Sequence, residues 1–132
     1  MNFRMVLRYD YDEKLDAFFG AHAGTLENKH LENAFADLAV HPKFVPNVRV
    51  LHDYSRVTEF KLSAQVIDRI AAAMSTRAIE GRRAFIVVTP TGFGTVNFYL
   101  KTLLKEKVRV FYDRQAALTW LNEGMPPERQ IR

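Results

Sequence analysis

The period of the apolar positions changes along this chain, and each change marks an element. Phe3, Met5, Leu7 and Tyr9 alternate with polar neighbours, the two-residue period of a half-buried strand. Asp12, Glu13 and Lys14 read as a polar turn. Beyond it Leu15, Ala17, Phe19, Ala21 and Ala23 share a face, which predicts an antiparallel hairpin at the edge of a sheet. Gly20 and Gly24 weaken the second strand or allow close packing. Thr25 then offers an N-cap to a helix with Leu31, Phe35 and Leu38 as its buried stripe. Pro42 stops that helix, HPKFVPN connects, and Val48 to Leu51 read as a buried strand.

From there the chain repeats strand then helix. Ser63 caps a helix whose apolar face is Val66, Ile67, Ile70, Ala71 and Met74, and Gly81 ends it. AFIVVT, residues 84–89, has no polar alternation, so it predicts a central strand covered on both faces. After PTGFG a third helix near Thr95 presents Val96, Tyr99, Leu100, Leu103 and Leu104. The strand VRVFY follows, then a helix capped by Asp113 with Ala117, Trp120 and Leu121 inside. The order β-β-α-β-α-β-α-β-α predicts an α/β fold with a parallel core. It sets Asp53, Thr89 and Tyr112 near the carboxyl ends of three strands, where such folds bind ligands. A single domain is expected over residues 1–124, with a frayed tail at 125–132.

Leu51-His52-Asp53-Tyr54-Ser55, Thr91-Gly92-Phe93-Gly94 and Val108 to Asp113 followed by Ala117-Leu118-Thr119-Trp120-Leu121 resemble the SpoIIAA-like branch of the STAS superfamily, named for sulfate transporters and anti-sigma-factor antagonists. The resemblance spans nearly the whole domain through short, mostly structural motifs. It implies a mixed sheet with an N-terminal β-hairpin followed by αβαβαβα, helices flanking the sheet, and a non-enzymatic module that binds protein partners or small ligands. It also implies a switch by phosphorylation of a serine at the start of the helix after the third strand. Ser63 occupies that region, with Ser55 and Thr58 in the expected loop before it. The chain departs from the antagonists there, since Glu-Phe-Lys-Leu-Ser-Ala replaces their Asp-Ser-Ser/Thr-Gly. It also has Thr95-Val96-Asn97 where the branch often has Ala-Arg.

Composition narrows the chemistry. The chain lacks cysteine, which removes thiol nucleophiles, thiolate metal sites and disulfides. No stretch nears the roughly 18 apolar residues of a membrane span, and the start lacks an apolar leader core, so a cytoplasmic protein is expected. Nineteen Lys and Arg against fifteen Asp and Glu give +4, an excess gathered in the second half, where Lys101, Lys105 and Lys107 cluster. That is too diffuse for nucleic-acid binding, which wants denser positive charge interleaved with aromatics.

The candidate sites each have a structural and a functional reading. Ser63 as an N-cap satisfies a backbone N–H, and a phosphate there would also suit the helix dipole. Thr91, Gly92, Phe93 and Gly94 fit either a plain turn or an anion cradle at a helix start, though neither the P-loop nor the dinucleotide pattern is complete. Asp53 fits a local pairing better than a receiver-type phospho-acceptor, because a hairpin stands where receivers have a crossover helix and no Lys ends the last strand. His22, His30, His41 and His52 lack metal-binding spacing. His52 and Asp53 are adjacent on one strand and face opposite ways, which excludes a triad with Ser63. No cofactor is expected. The working surface is expected in the loops after strands 48–53 and 84–89. The alternative is a carrier or sensor of a small apolar, lipid-like molecule in a pocket between the sheet and the second or third helix, as the looser kinship of the family with lipid-transfer domains implies. The hairpin edge is compatible with a homodimer.

Overall fold

An amino-terminal hairpin forms, but its first strand lies later than the alternation predicts, and of the alternating residues only Tyr9 falls within it. In the computed structural model, which describes residues 5–77, 81–100 and 107–123, with 75–77 and 97–100 described in their backbone alone, β1 (Arg8–Asp12) pairs antiparallel with β2 (Ala17–Glu27). There follow α1 (Asn28–Ala39), β3 (Arg49–Lys61), α2 (Ala64–Arg77), β4 (Arg83–Ile86), α3 (Pro90–Leu100), β5 (Val108–Phe111) and α4 (Arg114–Asn122). Phe3, Lys101, Leu103, Leu104, Lys105, Gly124 and the tail 125–132 lie outside the described residues, as do the side chains of Tyr99 and Leu100.

Among the described residues the sheet has five strands in the order β1-β2-β3-β4-β5, parallel everywhere except at the hairpin. Every crossover thus steps the same way across the sheet. Right-handed crossovers that step one way leave their helices on one face, and α1, α2 and α3 do meet over the sheet around a common cavity. The last helix, α4, has no strand to return to and covers the opposite face, where Ala117, Trp120 and Leu121 pack on Leu51, Ala84 and Ile86. Asp113 caps it as expected, accepting from the Ala116 N–H at 2.9 Å.

Four sequence expectations need correction. Thr25 is not the N-cap of α1: β2 runs through Glu27, whose N–H donates to the His30 imidazole at 2.9 Å, so a histidine reaching back does the capping. β2 begins at Ala17, so Leu15 lies in the turn and not on the strand; the face shared by Ala17, Phe19 and Ala21 is the α4 side, and Phe18 and His22, both buried, face the helices. β4 is buried along its length but stands one strand from the edge; β3 holds the centre. Finally, β3 does not stop near Leu51 or Asp53. Its second half pairs with residues 23–27 of β2 as far as Lys61, past two breaks in register, so Ser55 and Thr58 lie in a strand and not in a loop.

One buried cation ties the two ends of the described chain together. Arg49 at the start of β3 is 4 % exposed. Its guanidinium donates to the carbonyls of Leu15 and Asp16 in the β1–β2 turn and, at 3.1 Å, to Asn122 Oδ1 at the end of α4. Arg49→Met keeps the apolar stem and strips these oxygens of their donor. An unmet buried acceptor costs about 1–3 kcal/mol, so urea unfolding of this variant should show a loss of that size.

Candidate functional site

The site grows from a missing side chain. In the register of the sheet Tyr9 lies opposite Gly20, Gly20 opposite His52, and His52 opposite Phe85. A Cβ on Gly20 would stand 2.3 Å from Cε1 of Tyr9, so the tyrosine ring occupies the space above the glycine and reaches across β2. Its hydroxyl comes within 2.6 Å of His52 Nδ1 and 3.4 Å of the Tyr54 hydroxyl. On the far side the His52 ring stacks on Phe85, centroids 4.1 Å apart and planes within 7°.

These aromatics floor a cavity of about 50 Å³ roofed by Leu31 and Phe35 of α1, Ile67, Ile70 and Met74 of α2, and Thr95 and Val96 of α3. Its lining is almost wholly apolar, with the Tyr9, His52 and Tyr54 cluster as its main polar feature. His52 is 3 % exposed. Burial in the first place, and the nearby Arg83 charge in the second, push its pKa down to about 3, so the ring is neutral at ordinary pH. Its Nε2 has no hydrogen-bond partner among the described residues.

The residues singled out from sequence do not converge on one site. Asp53 and Ser55 do meet: Asp53 Oδ1 accepts from the Ser55 N–H at 3.0 Å and from its hydroxyl at 2.6 Å, and Oδ2 lies 3.8 Å from Arg114. This pair sits on the α4 side, opposite His52, as strand alternation requires. Thr58 is exposed on β3. Ser63 is the N-cap of α2, its Oγ accepting from the Val66 N–H at 3.2 Å while its own N–H donates to Asn28 Oδ1 at 2.9 Å. Thr91, Gly92, Phe93 and Gly94 are not a turn ahead of α3 but part of it. The Gly92 N–H donates to Thr89 Oγ1 and the Phe93 N–H to the Thr89 carbonyl, so two of the groups an anion cradle needs are already used by the cap. Phe93 packs inward and stacks on the exposed Tyr112 at 5.6 Å.

Histidine chemistry elsewhere is also consumed by the backbone. His22 Nδ1 accepts from the Leu7 N–H at 2.9 Å and its Nε2 lies 2.8 Å from the Thr25 carbonyl. The His30 ring lies 4.5 Å from it. Among the described residues no group of three or more His, Asp or Glu is placed to hold a metal ion, and no helix is long and apolar enough to cross a membrane.

No family model matches the chain, and no curated protein matches its sequence. The architecture does have a counterpart among solved structures. An uncharacterised protein of the DUF3478 family from Shewanella loihica PV-4, with a SpoIIAA-like fold, superposes with a TM-score of 0.63 over 92 % of this chain and 97 % of its own, at 17 % identity. The fold is SpoIIAA-like. Within this SpoIIAA-like frame the cavity lies on the three-helix side, and the Asp53, Ser55 and Arg114 group on the side that α4 covers only in part. From the sequence His52 was a candidate only for a metal site or a triad, and Tyr9 and Tyr54 were structural positions with no site role. The available signals were a histidine within an otherwise apolar run and a glycine placed across the hairpin from a tyrosine.

Two outcomes follow. Gly20→Ala drives a methyl into the Tyr9 ring, and such overpacking costs about 1–3 kcal/mol; the tyrosine fluorescence and urea midpoint of the variant should both report a displaced Tyr9. The pH dependence has a definite sign. An unfolded His52 takes a proton near 6.5 and the folded one only near 3, so its contribution to stability is complete above pH 6.5 and is lost as pH falls from there toward 3. Urea midpoints measured from pH 7 down to 4 should fall less steeply in His52→Phe than in the wild type; equal slopes would show that His52 is not the buried neutral group described.

Proposed function

We propose that this chain is a non-enzymatic binding module that takes a small, largely apolar molecule between the sheet and helices α1 to α3. The observation that supports this reading is the cavity itself: ring-lined, apolar, and given polar character at the Tyr9, His52 and Tyr54 end. Apolar walls with a few placed polar groups are the usual make-up of a small-molecule pocket. At about 50 Å³ it is smaller than the roughly 150 Å³ that holds a benzene ring. A ring-sized ligand therefore enters as the roof yields, and Met74 is the side chain best suited to move, being unbranched and flexible. The resemblance to a family of binding domains points the same way.

A protein-partner role has its own support at the carboxyl end of the sheet, where Val88 is 49 % exposed and Tyr112, stacked on Phe93, is 65 % exposed. Ser63 as a phosphoswitch has less, because its hydroxyl oxygen already serves the helix cap.

The test of the cavity reading is a titration with ethylbenzene followed by NMR of the methyl groups. Saturable shifts confined to Ile67, Ile70, Val96 and their neighbours, together with a raised Tm, are expected. Val96→Phe, which fills the space, should weaken binding at least tenfold while the fold persists. Diffuse shifts that never saturate would remove the cavity as a binding site.

A further inference from the structure

A buried polar atom without a partner is costly, and proteins rarely leave one in place without a use for it. His52 Nε2 is such an atom, on a ring that lines the cavity. Which hydrogen-bond role it offers follows from its other nitrogen. A phenol is a better proton donor than an imidazole N–H, and an imidazole lone pair is a better acceptor than a phenol oxygen. The 2.6 Å contact is thus Tyr9 O–H donating to Nδ1. A neutral imidazole carries one proton, so that proton sits on Nε2 and makes it a donor. The ring is held by stacking on Phe85, and Gly20 holds open the path by which Tyr9 reaches it.

We infer that His52 Nε2–H recognises one neutral hydrogen-bond-accepting oxygen, a carbonyl foremost, on the otherwise apolar molecule bound in the cavity. This rests on the binding reading above and names the class of ligand: small ketones, aldehydes or esters, not hydrocarbons and not carboxylates. No Lys or Arg is among the described residues lining the cavity, and Arg83, the buried cation whose charge reaches His52, donates to the Met74 carbonyl, so a carboxylate in the cavity would be a buried charge without a direct ion-pair partner. A hydrocarbon would leave Nε2–H unmet. Sites built to hydrogen-bond a group discriminate well against analogues that lack it.

Acetophenone and ethylbenzene match in shape and differ at the carbonyl, which makes them the probes. Their affinities are measured for the wild type and for His52→Phe, so that differences in their own hydration cancel. The preference for acetophenone should be about tenfold greater in the wild type, the worth of one satisfied buried hydrogen bond. If both probes bind and the ratio is the same in the two proteins, the carbonyl assignment is wrong while the cavity reading stands. If neither binds, the cavity reading fails and takes the inference with it. Benzoate binding more tightly than acetophenone would overturn the neutral class. The nitrogen NMR spectrum of the wild-type imidazole gives an answer that needs no variant. An Nε2-protonated ring whose Nε2 signal moves with acetophenone and not with ethylbenzene supports the inference, and an Nδ1-protonated ring overturns it.

Discussion

Val50 and Leu51 are neighbours in β3, face opposite sides of the sheet and are both sealed from solvent, so each face of the central strand needs its own cover. The rest of the architecture answers that requirement unequally. Same-way crossovers deliver α1, α2 and α3 to one face, and only the nine residues of α4 serve the other. The three-helix side becomes thick enough to enclose a cavity. On the other side α4 packs over β3, β4 and β5 and leaves the hairpin strands less covered, and there charged groups such as Asp53 and Arg114 are tolerated.

The two sides therefore hold different chemistry although their residues interleave along the same strands. His52 and Tyr54 face a dry, apolar space in which the His52 imidazole stays neutral. Asp53 and Ser55, one residue further along in each case, face a partly wetted surface, bonded to each other, with Asp53 Oδ2 3.8 Å from Arg114. A shift of one residue in the pairing of β3 would exchange these sets and bury a carboxylate. The bond from Tyr9 to His52 guards against that slip, because it exists in one register of β3 only.

Much of this was legible in the sequence. The element order, the hairpin, the Ser63 and Asp113 caps and the buried faces of α2 and α4 followed from periodicity and capping chemistry that act over a few residues. β3 was cut short because residues 54–61 are largely polar and its breaks in register spoil the alternation that marks a strand. The start of α3 was misplaced because Pro90 and two glycines read as a turn, while proline also suits the first turn of a helix. The site itself was hidden for a different reason. Tyr9, Gly20, His52 and Phe85 are far apart in the chain and become neighbours only through strand register, which no local pattern states.

The strand order has a consequence for how the chain comes to be folded. Each strand pairs with the one made just before it, so the sheet extends in the order of synthesis, and every new pairing closes a short loop onto an edge already present. Such a chain is suited to building its sheet while still emerging from the ribosome, where contacts between distant segments are the slow ones. The exception is Arg49, whose guanidinium waits for Asn122. Arg49, already bonded to the carbonyls of the hairpin turn, acquires its Asn122 partner only when α4 has been made.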